Sequence, residues 1–195
     1  MRSWLLYTKE PPVFQRFDHL LRRDFLNAFN WTRTVFPDST FKGVYGVLKE
    51  RPLPKKDYGK KRGCLCSKIF YLSFENSLCE EYVTEKFFNI FEEVDVIPVV
   101  RGGARYEKLL PPGSFINAKD FDSAEQLGKY LRVLANDKTK YISMLKKKNR
   151  YTLGEYPKQK FPCEICKALN LGEPKNVYRD VYGWMWSHCW EPLDV

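Results

Sequence analysis

The sequence predicts an α/β fold built around a parallel sheet, and three consecutive segments support this prediction. Residues 69–74 are rich in aromatic and β-prone side chains, as in a strand. Residues 80–93 repeat apolar side chains at helical spacing, and residues 94–100 form a second apolar run closed by two glycines. A strand followed by a helix and another strand is the unit from which parallel sheets are built.

The same alternation continues along the chain. Three further elements are predicted, a short strand and two helices, at residues 114–116, 123–135 and 138–147. Ahead of the sheet, a short helix is predicted from Leu20 to Phe29, and a strand begins within residues 29–32. Residues 48–62 are basic and interrupted by proline, which is typical of a linker or a mobile loop.

Composition narrows the class of protein but not its partner. With 44 % hydrophobic and 16 % aromatic residues, the chain is globular rather than disordered. Its net charge of +9 is compatible with nucleic acid, an acidic membrane or a phosphate-bearing substrate, and equally with an ordinary basic surface. The sequence contains no nucleic-acid-binding motif, no run near the roughly 20 apolar residues of a membrane span, and no signal peptide. We therefore expect neither an anchor nor an export signal in this chain, and no nucleic-acid partner.

The six cysteines are candidates for disulfide bonds. They are Cys64, Cys66, Cys79, Cys163, Cys166 and Cys189. A zinc site is the weaker interpretation, because the only histidines, His19 and His188, do not stand at zinc-finger spacing from the cysteines. An even cysteine count fits an oxidising compartment, and Asn30 begins an Asn-Trp-Thr glycosylation sequon. Together these features favour the secretory pathway.

Polar side chains follow the first strand of the predicted sheet. The carboxyl ends of parallel strands are where ligands bind in such folds. Six residues lie there or in the helix turns that follow: Glu75, Asn76, Tyr82, Thr84, Glu85 and Lys86. A carboxylate can accept both hydroxyls of a ribose, and a lysine at a helix N-terminus can hold a phosphate and stabilise its charge as it departs. The alternative is that Glu85 and Lys86 are exposed helix residues without a ligand.

The segment from Phe70 to Lys86, FYLSFENSLCEEYVTEK, resembles the signature of the α-1,3-fucosyltransferases. The likeness continues in four later segments, at residues 96–103, 111–116, 120–121 and 161–166. It is weaker near the N-terminus, where residues 4–12 resemble a Glu-Ser-Pro element of the family and residues 29–32 its Asn-Trp-Thr element. In all, the resemblance covers most of residues 1–170.

The resemblance implies a GT-B fold, with two facing Rossmann-like lobes, and transfer of fucose from GDP-fucose to O3 of an N-acetylglucosamine in a glycan, with inversion. The six polar residues named above would bind the donor, with Glu85 on the ribose and Lys86 on a phosphate. Glu10 matches the carboxylate proposed as general base, or else is an exposed loop carboxylate. No metal cofactor is expected, since side chains and a helix end bear the diphosphate.

Compared with the family pattern, the sequence is expected to lack an N-terminal portion and an internal block. The resemblance predicts four parts: a remnant of the acceptor lobe (1–47), a basic linker (48–62), a GDP-fucose-binding lobe (63–170) and a C-terminal tail (171–195). The family is anchored in the Golgi membrane. The partners of its terminal C-x-x-C are missing, so Cys163 and Cys166 are expected to be free, mispaired or joined to Cys189. An inactive relative with a binding or regulatory role is the alternative function.

Overall fold

The computed structural model of the chain describes residues 3–13, 17–52, 69–154, 160–172 and 177–191. Cys64, Cys66 and the predicted linker beyond Pro52 lie outside these ranges. The chain divides into two compact units. The first comprises Met1–Tyr45, Asn76–Tyr82 and Glu155–Val195, and the second comprises Gly46–Glu75 and Val83–Gly154.

The described ranges contain ten strands and six α-helices. The strands are β1 (Leu5–Tyr7), β2 (Trp31–Thr34), β3 (Phe41–Lys42), β4 (Val47–Glu50), β5 (Phe70–Phe74), β6 (Leu78–Cys79), β7 (Ile97–Arg101), β8 (Ile116–Asn117), β9 (Tyr151–Gly154) and β10 (Cys189–Trp190). The α-helices are α1 (Glu85–Glu93), α2 (Tyr106–Leu109), α3 (Ala124–Asn136), α4 (Lys138–Lys148), α5 (Lys160–Leu171) and α6 (Val181–Ser187). In the ranges just given, no helix is long and apolar enough to cross a bilayer.

The second unit contains the predicted parallel sheet, with strand order β5-β7-β8. β5 and β7 pair in parallel, with Phe70 opposite Ile97 and Phe74 opposite Arg101. β8 pairs in parallel with the other side of β7. Residues 97–100 of the central strand are all buried, as expected for a parallel strand that is covered on both faces. The predicted α/β class and the order of these elements are confirmed.

Helix α1 begins at Glu85, later than the predicted start at residue 80. The residues before it form β6, and Glu81 has a φ of 53°, in the left-handed region that an α-helix excludes. Thr84 caps the helix, because its Oγ1 accepts a hydrogen bond from the backbone amide of Lys86 at 3.3 Å. The predicted helix is therefore too long at its start, because apolar spacing does not show where the backbone leaves the helical conformation.

Helices α3 and α4 cover one face of this sheet. Their shared core with the strands contains five buried side chains: Ile97, Val99, Ile116, Leu134 and Leu145. The helices begin after Ser123 and Asp137, whose side-chain oxygens accept hydrogen bonds from backbone amides of the first turn. The helices predicted at residues 123–135 and 138–147 are confirmed to within one residue at each end.

The start of the predicted linker is a strand. β4 pairs antiparallel with β9, which places Val47 opposite Gly154. Just beyond the strand, the backbone amide of Arg51 donates to the carbonyl of Arg150 at 2.7 Å. The polar composition did not indicate this strand, because its hydrogen-bonding partner lies far along the chain. Residues 53–62 of the predicted linker are outside the described residues.

The first unit holds a second parallel sheet, with strand order β1-β2-β3. β2 is buried along its whole length and confirms the strand predicted around residues 29–32. Arg33 in this strand is buried, and its guanidinium carbon lies 3.7 Å from the centre of the Phe161 ring in α5. A guanidinium that stacks on an aromatic ring away from water is stabilised by a cation–π interaction. The strand and α5 are thereby joined.

The helix predicted from Leu20 to Phe29 is wrong. Two short 3-10 helices, Asp18–Leu21 and Arg23–Phe25, occupy most of this segment. Arg22 between them has an extended backbone with a ψ of 141°, and Asn27 has a φ of 55°. Neither conformation belongs to an α-helix. The turns bury Leu20 and Phe29 but leave Leu21 and Leu26 exposed.

The predicted C-terminal tail is folded into the first unit. Val181 and Met185 of α6 enter a core that also contains Phe36 and Tyr82. β10 pairs antiparallel with β6, and a Cys79–Cys189 disulfide joins the two strands. Cys163 and Cys166 are free and exposed. Of the three states expected for these two cysteines, the free one is observed, and a bond to Cys189 is wrong because Cys79 holds that sulfur.

The Cys79–Cys189 bond closes a loop with a sequence separation of 110 residues. Opening so long a loop restores conformational entropy to the unfolded chain, so we expect a Cys79→Ala/Cys189→Ala double variant to lose about 2–4 kcal/mol of unfolding free energy. Urea denaturation followed by circular dichroism measures this loss. The Cys163→Ala/Cys166→Ala variant is the matched control and should change stability little. Equal losses in the two variants would contradict the assignment.

Candidate active site

Glu10 is held by two tyrosines within the first unit. Its side chain is half-buried, just after β1. The Tyr45 hydroxyl donates to Glu10 Oε1 at 2.5 Å, and the Tyr82 hydroxyl donates to Oε2 at 2.9 Å. The Glu10 backbone amide donates to Thr8 Oγ1 at 3.0 Å, which holds the main chain. Both oxygens of the carboxylate are thus oriented by phenols, so Glu10 is not the loosely exposed loop carboxylate of the alternative interpretation.

Such a carboxylate can still take part in proton transfer. Each carboxylate oxygen has two lone-pair directions, and the phenol occupies one of them. A general base must be oriented as well as basic, because the proton moves only over hydrogen-bonding distance. The two tyrosine hydroxyls supply that orientation at Glu10.

Two residues predicted to bind the donor fall in this same unit, Asn76 and Tyr82. Asn76 is exposed, in the turn between β5 and β6. Tyr82 retains only 1 % exposure, and its hydroxyl is directed at Glu10. The predicted ligand contact of Tyr82 therefore does not match its position, because the ring is packed in the core of the unit.

In the second unit, Glu75 and Thr84 link the end of β5 to the start of α1. Glu75 Oε1 accepts from the Thr84 backbone amide and Oε2 accepts from Thr84 Oγ1, both at 2.8 Å. Glu75 is 6 % exposed. Burial raises the pKa of its carboxyl, and the Thr84 hydrogen bonds and the Lys86 charge only partly offset that rise. Glu75 and Thr84 are thus bonded to each other and buried, and this burial, which Glu10 does not share, leaves them little access to a ligand.

Glu85 and Lys86 occupy the first turn of α1. Glu85 is exposed, and Lys86 is half-buried. The Lys86 ammonium donates to the backbone carbonyl of Phe74 at 3.0 Å. Lys86 therefore carries a positive charge at the carboxyl end of β5, beside the N-terminus of α1. This is the place where an open parallel sheet binds a phosphate.

Sequence reasoning did not assign a role to three residues near these sites, Tyr45, Arg101 and Tyr106. Arg101 ends the central strand, and an ideal Cβ on the next residue, Gly102, would lie 2.4 Å from the Tyr106 hydroxyl. Burial raises the pKa of the Tyr106 phenol, the charge of Glu75 adds to that rise, and the charge of Arg101 opposes it. Basic and glycine residues directly after a strand are a signal that could have indicated Arg101; Tyr45 has no such local signal.

A sequence model of the C-terminal part of glycosyltransferase family 10, the fucosyltransferases, matches residues 43–184. That span includes the strand, helix and strand that carry Glu75, Lys86 and Arg101. The chain belongs to glycosyltransferase family 10. The resemblance inferred from the segment between Phe70 and Lys86 is therefore confirmed.

Individual members of family 10 are similar to the chain over part of their length. Alpha-(1,3)-fucosyltransferase C of Drosophila melanogaster is 40 % identical over 124 residues, covering 62 % of this chain and 28 % of that protein. The human 3-galactosyl-N-acetylglucosaminide 4-alpha-L-fucosyltransferase FUT3 is 34 % identical over 143 residues, covering 72 % and 38 %. The human 4-galactosyl-N-acetylglucosaminide 3-alpha-L-fucosyltransferase FUT6 is 42 % identical over 102 residues, covering 51 % and 27 %. The chain thus spans between 27 % and 38 % of the length of these relatives.

A solved structure described as an alpha1,3-fucosyltransferase also overlaps this family-10 chain. The overlap covers 90 % of the chain and 48 % of the solved structure, with a TM-score of 0.44 and 20 % sequence identity. The GT-B arrangement of two lobes stays a prediction from the family. Among the described residues, no group of three or more histidine, cysteine, aspartate or glutamate side chains could hold a metal ion.

Glu75 should make the stability of this family-10 chain depend on pH. Its pKa in the folded chain lies above the ordinary value of 4.5, so the folded state takes up the proton first as pH falls. The wild type should therefore gain stability relative to Glu75→Gln as pH falls from neutral, and the gain should be complete below 4.5. Urea denaturation of both proteins across this range measures the difference.

The exposed Glu107 provides the matched control for this pH series. Glu107→Gln should show no comparable trend, because water solvates the Glu107 charge in both the folded and the unfolded chain. A stability difference between wild type and Glu75→Gln that stays constant with pH would contradict the burial cost assigned to Glu75.

Proposed function

We propose that this chain is part of an α-1,3-fucosyltransferase that moves fucose from GDP-fucose to O3 of N-acetylglucosamine in a glycan, with inversion. The observation that carries the proposal is the Glu10 carboxylate oriented by the Tyr45 and Tyr82 hydroxyls, in a chain of family 10. The names of the two human relatives, which describe fucose transfer to N-acetylglucosaminides, support the same reaction class.

In the proposed reaction, Glu10 acts as the general base. It takes the proton from the acceptor hydroxyl while that oxygen attacks the anomeric carbon of fucose. The bond from that carbon to the diphosphate oxygen breaks, and GDP leaves with the electron pair. Attack on the face opposite the leaving group inverts the anomeric carbon. Tyr45 and Tyr82 are positioning residues for Glu10 rather than donor ligands.

The donor is proposed to bind at the carboxyl end of β5 and the N-terminus of α1. Lys86 neutralises phosphate charge there and stabilises the charge that grows on departing GDP. Glu85, exposed at the first position of α1, accepts the ribose hydroxyls in this proposal. Asn76, an exposed amide of the first unit, stays a predicted donor ligand from the family resemblance. The role first assigned to Glu75 and Thr84 changes: they align α1 and do not contact the donor.

The mechanism requires no metal cofactor, because lysine and the helix N-terminus supply the positive charge.

We further propose that the chain functions in the Golgi lumen. A disulfide between Cys79 and Cys189 is compatible with an oxidising compartment. The sequon at Asn30 is a candidate glycosylation site for the same reason, and the Asn30 side-chain oxygen accepts from the Trp4 backbone amide at 3.1 Å. Membrane attachment is an expectation from the family.

Replacing Glu10 by glutamine should separate chemistry from donor binding. Glutamine keeps the shape and accepts hydrogen bonds but cannot take the proton, so we expect Glu10→Gln to lower kcat by about 10²–10⁴. GDP affinity should stay unchanged. The assay is fucose transfer from GDP-fucose to an N-acetyllactosamine acceptor. Glu81→Gln, another partly buried carboxylate of the first unit, serves as the control. Unaltered turnover by Glu10→Gln would remove Glu10 from the mechanism.

Lys86 should be needed for the nucleotide itself. Loss of a charged contact to phosphate costs about 1.5–3 kcal/mol, so Lys86→Ala should weaken GDP binding by about 10- to 100-fold in calorimetric titration. Lys138→Ala removes the same charge from an exposed position at the start of α4 and should bind GDP like the wild type. Equal GDP affinity in all three proteins would overturn the donor site, whereas GDP binding without transfer to any acceptor would favour the inactive relative.

A further inference from the structure

Arg101 stands at the same edge of the second unit's sheet as Lys86. It is the last residue of β7, the central strand, and it lies opposite Phe74 in the parallel register. The backbone amide of Glu75 donates to the Arg101 carbonyl at 2.8 Å, so the pairing of β5 and β7 continues to their carboxyl ends. Neighbouring strands lie about 4.8 Å apart, and the backbone of Arg101 therefore lies beside that of Phe74.

Lys86 is bonded to that same carbonyl. Its ammonium donates to the Phe74 oxygen at 3.0 Å. Lys86 and Arg101 are thus both placed beside Phe74 at the carboxyl end of the sheet, Lys86 by its hydrogen bond and Arg101 by strand pairing. The negative charge of Glu75 is close by, but both of its carboxylate oxygens accept hydrogen bonds from Thr84. Glu85 in the first turn of α1 adds a second negative charge near this edge, so the placement of the two cations, rather than an excess of positive charge, is what suits an anion here.

The two cations approach the edge from opposite faces of the sheet. Side chains alternate along a strand, so Arg101 shares its face of β7 with Ile97 and Val99. That face is covered by α3 and α4, whose residues pack on Ile97 and Val99. Helix α1, which carries Lys86, contacts β5 and β7 and is not part of that core in the described residues. Lys86 therefore comes from the α1 face and Arg101 from the α3–α4 face.

The loop that follows Arg101 contains a buried hydroxyl without a partner. Tyr106 is 1 % exposed, and within the described chain its hydroxyl makes no hydrogen bond. The hydroxyl lies against Gly102, where an added Cβ would be 2.4 Å away. A buried hydroxyl without a partner is unfavourable, and a ligand oxygen at this edge or a shift of the surrounding loop can provide the missing acceptor.

We propose that Arg101 binds the donor diphosphate, so that Arg101 and Lys86 hold it from opposite faces of the sheet edge. This inference rests on the proposed function and deepens its donor site. The guanidinium presents paired N–H groups that match two oxygens of a phosphate, which a lysine cannot do. Arg101 thereby selects a diphosphate over a monophosphate, and it stabilises the charge on departing GDP together with Lys86.

The test compares GDP with GMP by calorimetric titration. The wild type should prefer GDP, and Arg101→Ala should reduce that preference at least about tenfold, because the variant loses a charged contact with the second phosphate. Arg101→Lys keeps the charge but loses the paired N–H groups, so its preference should be intermediate. Arg132→Ala, which removes an exposed arginine from α3, is the matched control and should leave the preference unchanged.

Several outcomes would overturn the assignment of Arg101. A GDP preference that is unchanged in Arg101→Ala would do so, and so would equal weakening of GDP and GMP, which indicates a general effect on the fold. Thermal unfolding of each variant identifies such an effect directly, and Arg101→Lys replaces the alanine variant if the latter unfolds. Wild type that fails to bind GDP overturns this inference and the proposed donor together. Wild type that binds GDP through Arg101 but transfers no fucose overturns only the proposed reaction.

Discussion

The double hydrogen bond between Glu75 and Thr84 is the interaction on which the geometry of the second unit's ligand edge depends. It joins Glu75, the residue after β5, to Thr84, the N-cap of α1. The end of the strand and the start of the helix are therefore held together. Lys86 is two residues past Thr84, and its ammonium returns to the carbonyl of Phe74. A buried carboxylate is costly unless its oxygens are bonded. Here the two bonds from Thr84 offset part of that cost and orient the helix end where the donor is proposed to bind.

The first unit is assembled from three distant parts of the chain, and its key residues depend on that assembly. Cys79 comes from the middle of the sequence and Cys189 from its end, and their bond closes the pairing of β6 with β10. The same middle segment brings Tyr82 into the core, where its hydroxyl reaches Glu10 from the N-terminal part. Glu10, the proposed general base, is thus oriented by residues that no local sequence pattern connects. A change that separates these parts would therefore disturb the orientation of Glu10 and lower the stability of the unit.

Sequence reasoning succeeded where structure is local. The strand at residues 70–74, the helices after Ser123 and Asp137 and the buried strand before Arg101 follow from apolar periodicity and from capping residues. It failed where a distant partner decides the conformation. The composition after Val47 indicated a linker, but pairing with β9 makes the segment the strand β4. It also failed where backbone dihedral angles interrupt an apolar pattern, as at Arg22 and Glu81. Apolar spacing does not fix the backbone: in residues 20–29 the turns bury Leu20 and Phe29 and leave Leu21 and Leu26 exposed.

By itself, the sequence determined the α/β class and the family-10 signature between Phe70 and Lys86, and it predicted a ligand edge after the first strand of the sheet. These depend on short-range periodicity and on residue order, which the sequence displays directly. Only the tertiary structure decided which polar groups remain available to a ligand. Glu75, Thr84 and Tyr82 carry the right chemistry for binding, yet their hydrogen bonds are made within the protein. The physical reason is that a polar side chain becomes a ligand contact or a structural one according to its neighbours in space, and those neighbours come from distant parts of the chain.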